Sequence, residues 1–208
     1  MPTLTEARIA TLVQPYLLPA VPLPLNLAAQ LSLYLDLLLR WNARTNLTAI
    51  RDPEEIVSRH FGESLFAGSH MAPLLSPNAT LLDFGSGAGF PGLPIHLLLP
   101  HLHVTLAESQ NKKATFLREA IRTLRTDTQV WSARAEALPP QKTFDVVTMR
   151  AVDDMETAIK AALARVTPGG WLTVLAGKEF PSQNLVVVPQ QVIPVPESKD
   201  SFLYLQQI

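Results

Sequence analysis

Residues 81–92 read Leu-Leu-Asp-Phe-Gly-Ser-Gly-Ala-Gly-Phe-Pro-Gly, so four glycines, Gly85, Gly87, Gly89 and Gly92, follow directly on an apolar run that ends at Asp83. Few structures accommodate this pattern except a strand that turns tightly into a helix. Glycine is required where the backbone takes positive φ or must approach a ligand without an intervening Cβ, and Pro91 suits the first turn of the helix that follows. The leading N–H groups of that helix have no intrahelical acceptor, so a bulky polar ligand is expected over the loop.

The rest of the chain agrees with a strand–turn–helix unit. From residue 79 onward, apolar strand-like runs at 79–84, 103–108, 128–132, 144–149 and 171–176 alternate with helical patterns at 91–99, 112–125 and 153–166. That alternation predicts an α/β fold with a mostly parallel sheet. Proline-interrupted apolar pieces at 185–188 and 202–206 fit a terminal antiparallel hairpin. The first third reads helical. Thr5 is placed to cap a segment reaching about residue 18, Pro15, Pro19, Pro22 and Pro24 impose a break, and a helix restarts at Asn26 with Leu27, Leu31, Tyr34, Leu35 and Leu38 on one face. Residues 41–48 read as an irregular connector, and Asp52-Pro-Glu-Glu as a capped start to a helix running to about residue 69. The expected division is a helical region at 1–75 followed by a ligand-binding domain at 76–208.

Composition narrows the function. At 208 residues and 47% hydrophobic content the chain can bury an ordinary core, and its longest apolar stretch, 27–39, is too short and too interrupted to span a bilayer. No secretory pattern opens the chain, so a cytoplasmic protein without a membrane segment is expected. Cysteine is absent, which removes disulfides, thiolate metal sites and cysteine nucleophiles, and no metal is expected. Seventeen Lys and Arg against eighteen Asp and Glu give a net charge of −1, so nucleic-acid binding has to rely on a local patch. Lys112, Lys113, Arg118, Arg122 and Arg125 face the single acid Glu119, and the spacing of the three arginines predicts one basic helical face.

In open α/β sheets ligands bind outside the carboxyl ends of the strands, and the residues there carry chemistry. Glu108 ends the second strand and is placed to accept from both hydroxyls of a ribose. Arg134-Ala135-Glu136 follows the third, with Ala135 and Glu136 placed to address a purine edge, and Arg150-Ala151 follows the fourth. Arg150 offers planar bidentate contacts to a carboxylate or a base. Each side chain has a plainer alternative, a solvated carboxylate for Glu108 and Glu136 and a structural ion pair for Arg150. Gly87-x-Gly89-x-x-Gly92 also satisfies the dinucleotide pattern, which leaves an NAD(P) oxidoreductase open as an alternative.

The longer pattern Asp83-x-Gly85-x-Gly87-x-Gly89 resembles the first motif of class I S-adenosylmethionine (SAM) methyltransferases. Taken with Trp41-Asn42-x-x-x-Asn46-Leu47-Thr48, His60 with Ser64-Leu65, the Gly-Phe-Pro-Gly-Leu-Pro94 extension, Glu108-Ser109, Lys112-Lys113, Arg134-x-Glu136 and Arg150-Ala151, the chain from about residue 41 to 178 resembles the RsmG (GidB) family of bacterial 16S rRNA guanine-N7 methyltransferases. The resemblance implies a Rossmann-like class I fold and SAM as cofactor. It also implies 16S rRNA or the small ribosomal subunit as partner, acted on by a monomer. The cofactor contacts that the resemblance implies are Gly85, Phe90, Ala135, Glu136 and Arg150, to which the loop motif adds Asp83 and Gly87 and strand-end position adds Glu108; Arg150 is also the candidate for electrostatic positioning of the base. Two departures stand out: the family's usual Asp in His-x-x-Asp-Ser-Leu is Glu63 here, and the chain after Lys178 is shorter than the family norm, so part of the RNA-facing surface is expected to be reduced.

Guanine N7 carries an in-plane lone pair and needs no deprotonation, so a site without a general base suits this transfer. Rival methylations call for groups that are missing: a cysteine for pyrimidine C5, an Asn/Asp-Pro-Pro-aromatic run where Thr148-Met-Arg150 stands, and a Lys-Asp-Lys-Glu set for ribose. A SAM-binding ribosome-assembly factor without catalysis is the remaining alternative. His60 is weighed mainly as a hydrogen-bonded structural residue.

Overall fold

A computed structural model of the protein describes residues 1–150, 154–178 and 189–208. The N-terminal third is helical, with α1 at Glu6–Val13, α2 at Leu27–Thr45, α3 at Pro53–Ile56 and α4 at Glu63–Met71. A π-helical stretch, Val57–Gly62, joins α3 to α4, so the helix expected from Asp52 to residue 69 is present in three parts. Asp52 caps it by accepting the Glu55 N–H at 2.8 Å. Thr5 caps α1 by accepting from Arg8 N–H at 3.2 Å, but Pro15 turns the chain into a 3-10 turn at Gln14–Tyr16, short of residue 18.

The connector expected at 41–48 is instead helical as far as Thr45. α2 stops where Asn46 enters the left-handed region at φ 49°, a conformation asparagine tolerates at a helix C-terminus. The Thr48 side of the turn is held by Asn42, whose side chain accepts from Thr48 N–H at 3.0 Å and donates to the Thr48 carbonyl at 3.0 Å.

Strands β1 Thr80–Phe84, β2 His103–Ala107, β3 Gln129–Trp131, β4 Phe144–Arg150, β5 Val166–Ala176, β6 Gln191–Pro194 and β7 Phe202–Gln207 form one sheet in the order β3-β2-β1-β4-β5-β7-β6. The first five run parallel, and the β6–β7 hairpin closes the edge antiparallel to β5. Strand order therefore reverses between β1 and β4, whose carboxyl ends open the crevice where ligands bind in such sheets. The hairpin pairs Gln191–Pro194 with Phe202–Gln207; the expected partner at 185–188 lies outside the described residues. β5 begins at Val166, earlier than expected, with an irregularity before Trp171 takes up register with Val146.

Side chains alternate across the sheet and divide the core. Leu81, Val104, Leu106 and Val146 join the layer formed with α2, α4, α5 (Gly92–Leu98) and α6 (Asn111–Leu124). Leu82, Phe84, Val147 and Met149 face the layer that includes α7, Met155–Leu163. Asp153, expected to open α7, lies outside the described residues; Asp154 caps it by accepting from Thr157 N–H at 3.3 Å, and the helix ends at Leu163 rather than 166. An aromatic group ties the first helices to the glycine loop. Tyr34 stacks on Phe61, Phe90 and Phe116, and its hydroxyl donates to the Ala88 carbonyl.

Candidate functional site

A cleft of about 580 Å³ opens at the carboxyl ends of β1, β2 and β4. Its floor is the glycine loop, where Gly85 and Gly87 take φ of 76° and 58° and a Cβ added at Gly87 meets only the Gly85 carbonyl, at 4.0 Å. The loop thus presents bare backbone to the cleft. Gly89 and Gly92 serve packing instead: a Cβ at Gly89 would lie 2.5 Å from the Tyr34 hydroxyl, and one at Gly92 would lie 2.6 Å from Cβ of Asp83.

Glu108 closes one side. Its Oε2 accepts from Gly87 N–H at 2.9 Å and its Oε1 from Gln110 N–H at 2.7 Å, which leaves further lone pairs on both oxygens. Ala135 and Glu136 stand at the same end, Ala135 buried and the Glu136 side chain exposed, with the backbone there fixed by Arg165 donating to the Glu136 carbonyl at 2.9 Å. Phe90 and Arg150 also line the cleft.

Asp83 is not among the lining residues. Its carboxylate is fully buried behind the loop, accepting from Gly92 N–H and from the Thr148 hydroxyl, both at 3.1 Å. Burial pushes its carboxyl up to about 6, against the opposing pull of these hydrogen bonds. A strand-end acid expected to touch the ligand therefore braces the glycine turn from behind.

The rest of the wall comes from residues far away in sequence: Leu47 and Thr48 after α2, His60 from the π-helical stretch, and Arg150 from β4. Arg150 Nη2 reaches Glu63 Oε2 at 3.2 Å; Glu63 also holds Arg59 at 2.9 Å and accepts from the Ser201 hydroxyl at 3.2 Å. The ion-pair alternative for Arg150 is thus present, but it uses one end of the guanidinium. His60 stacks on Phe90 with centroids 4.7 Å apart and places Nε2 2.6 Å from Thr48 Oγ1. Desolvation, reinforced by the charges of Arg150 and Arg59, holds the imidazole down to about 3, so the ring is neutral at physiological pH. Gln110, Lys113, Asp154 and Thr157 also line the cleft; Gln110, Asp154 and Thr157 carry no local sequence signal for it, because they come together only through the chain's crossings.

Basic side chains are carried by two packed helices, α2 and α6. Arg40 and Arg44 are exposed on α2, and Lys112, Arg118 and Arg122 on α6, with Lys113 in the cleft wall. Among the described residues none of these six forms a salt bridge. The acid between them, Glu119, accepts from Trp41 Nε1 at 3.1 Å across the helix interface. Arg125, expected to extend this face, instead caps α6 in the left-handed conformation at φ 55° and leaves the helical path. Among the described residues no three His, Cys, Asp or Glu side chains gather as metal ligands, and no helix is long and apolar enough to cross a membrane.

Comparison with known proteins points to one chemistry. A family described as GidB, rRNA small subunit methyltransferase G, matches residues 27–193. Proteins named ribosomal RNA small subunit methyltransferase G from Xanthomonas euvesicatoria and Stenotrophomonas maltophilia are each 41% identical over 173 residues, covering 83% of this chain and 79% of theirs. Among solved structures, a SAM-dependent methyltransferase from Aquifex aeolicus superposes with a TM-score of 0.58 at 18% identity, covering 79% of this chain and 97% of that one. A Thermus thermophilus 16S rRNA N2 G1207 methyltransferase in complex with AdoMet and guanosine gives 0.55 at 18% identity, over 69% of this chain and 42% of that one. These structures share the class I methyltransferase fold.

Proposed function

The chain belongs to the GidB family of small-subunit rRNA methyltransferases, and from that premise we propose that its cleft delivers the methyl of SAM to N7 of a guanosine in 16S rRNA. It is a SAM-dependent rRNA methyltransferase, and SAM is its cofactor. The observation that carries the site assignment is the bare glycine floor flanked by Glu108, a cradle any Cβ at Gly85 or Gly87 would strain.

The residues present fit the cofactor. Gly85 and Gly87 give close backbone approach, Glu108 offers spare acceptor capacity to ribose hydroxyls, and Ala135 with Glu136 stands where a purine edge would lie. Phe90 supplies an apolar wall, Arg150 a cation for the cofactor carboxylate or the base edge, and Asp83 acts from behind by fixing the turn. When bound, the cofactor supplies an electrophilic methyl on a sulfonium. The protein's task is then to orient the base and exclude water, which can account for a large share of a methyl-transfer rate. Arg150 stays protonated and is no general base; guanine N7 needs none.

In this reading the helical segment 1–75 forms the acceptor side of the cleft and 76–208 the cofactor side, in a monomer working in the cytoplasm. The six cations on α2 and α6 supply the phosphate contacts, which normally dominate RNA affinity. Incubation with methyl-labelled SAM and small-subunit RNA or particles tests the reading: RNA must acquire label, and protein that binds SAM yet labels no RNA is an assembly factor instead.

A further inference from the structure

Two nitrogens in the cleft wall, His60 Nδ1 and Arg150 Nη1, are buried without a hydrogen-bond partner. Buried polar atoms are nearly always satisfied, and those left over at a binding site point to the ligand that satisfies them. The Thr48 hydroxyl decides what His60 offers. Its oxygen already accepts from Ile50 N–H at 3.2 Å, so what the hydroxyl still has to place is its own proton, and His60 Nε2, 2.6 Å away, is the acceptor in reach. The imidazole proton then sits on Nδ1. Thr48 is itself held at both backbone groups by Asn42, and the ring is clamped by stacking on Phe90.

Two of the residues that line the cleft thus each hold a buried N–H with no acceptor among the described residues, His60 at Nδ1 and Arg150 at Nη1. Guanine presents two adjacent acceptors on its major-groove edge, N7 and O6, whereas adenine replaces O6 with an amino donor. We propose that His60, in the Nδ1–H form set by Thr48, donates to O6 of the target guanine beside Arg150 Nη1, and so selects guanine while leaving the N7 lone pair free. A neutral imidazole suits this role, since an imidazolium would contribute a proton that competes with the methyl for N7. Both nitrogens are buried, so the base reaches them after side-chain adjustment of the kind common on binding. His60 is then a base-recognition residue and Thr48 a positioning residue. The inference rests on the guanine-N7 reading above and adds the group that reads the base.

Nitrogen-resolved NMR of the histidine side chains tests the tautomer directly. Wild-type protein should show His60 neutral with its proton on Nδ1, and Thr48→Val should lose that preference; a proton on Nε2 in the wild type overturns the proposal. His60→Phe keeps the ring on Phe90 and removes both nitrogens, while His60→Asn keeps an N–H near the Nδ1 position. Methyl transfer to small-subunit RNA should fall about ten- to a hundredfold in kcat/KM for the Phe variant, with SAM affinity by calorimetry unchanged, and recover in part for the Asn variant. A Phe variant with the wild-type rate, or one losing SAM affinity in proportion to rate, overturns the proposal and leaves the methyltransferase reading intact. Wild-type protein that labels RNA at a nucleoside other than guanosine overturns both.

Discussion

Glu108 accepts the main-chain N–H of Gly87 at 2.9 Å, so the carboxylate proposed to bind ribose also fixes the glycine loop beside it. Removing the side chain costs both. Glu108→Ala should weaken SAM binding at least tenfold by calorimetry, because it removes the ribose acceptor and strands two N–H donors, each worth about 1–3 kcal/mol when left unpaired. Glu108→Gln should fall between, since its amide can serve only one of Gly87 and Gln110 as an acceptor.

Asp83 gives a pH signature. Its folded carboxyl titrates at about 6 against 3.8 for a free group, so the folded protein holds this proton more tightly than the unfolded chain does. Stability from this group is therefore greatest below about pH 4 and declines as pH rises through 6, by on the order of 3 kcal/mol. Asp83→Asn keeps a polar side chain between Gly92 N–H and the Thr148 hydroxyl but cannot ionise. Urea unfolding at pH 4.5 and at pH 7.5 should show the variant gaining stability relative to wild type at the higher pH.

Glu63 pairs with Arg59 and Arg150 and is itself almost wholly buried. Glu63→Ala leaves Arg150 uncompensated in the cleft wall and should destabilise the fold by about 3–5 kcal/mol. Glu63→Asp keeps the charge with a shorter reach and should cost less. Chemical denaturation of the two variants gives the comparison.

Arg44 and Arg122 stand on the two adjoining basic helices, and Glu119 between them is engaged by Trp41. Reversing both charges, Arg44→Glu with Arg122→Glu, should leave SAM affinity unchanged and weaken RNA binding. The slope of log affinity against log salt should become shallower by about 0.7–0.9 for each phosphate that the protein no longer neutralises. Fluorescence titration with small-subunit RNA across salt concentrations measures it.

The glycine loop and the alternating strands are legible in the sequence because both are local: positive φ demands glycine, and burial on both faces of a parallel sheet demands apolar runs. Trp41 to Thr45 mislead because polar residues near the end of an apolar helix look like a loop, while the break falls at Asn46. Spacing alone puts Arg125 on a helical face, but the helix ends just before it. Asp83 looks like a ligand contact by its position at a strand end; only the tertiary contacts with Gly92 and Thr148 show that it faces inward. The gathering of Thr48, His60, Glu63 and Arg150 is hidden for the same reason. No local pattern reports which helix a strand end will face.

The central claim is that the glycine-floored cleft holds SAM while a guanosine of 16S rRNA takes the methyl at N7. Methyl-labelled SAM, small-subunit RNA or particles lacking the modification, and wild-type protein are incubated together, and the RNA is digested to nucleosides. The account requires label in 7-methylguanosine with wild-type protein and none with Gly85→Asp, whose carboxylate would fill the loop. Label confined to another nucleoside, or undiminished transfer by Gly85→Asp, would contradict it.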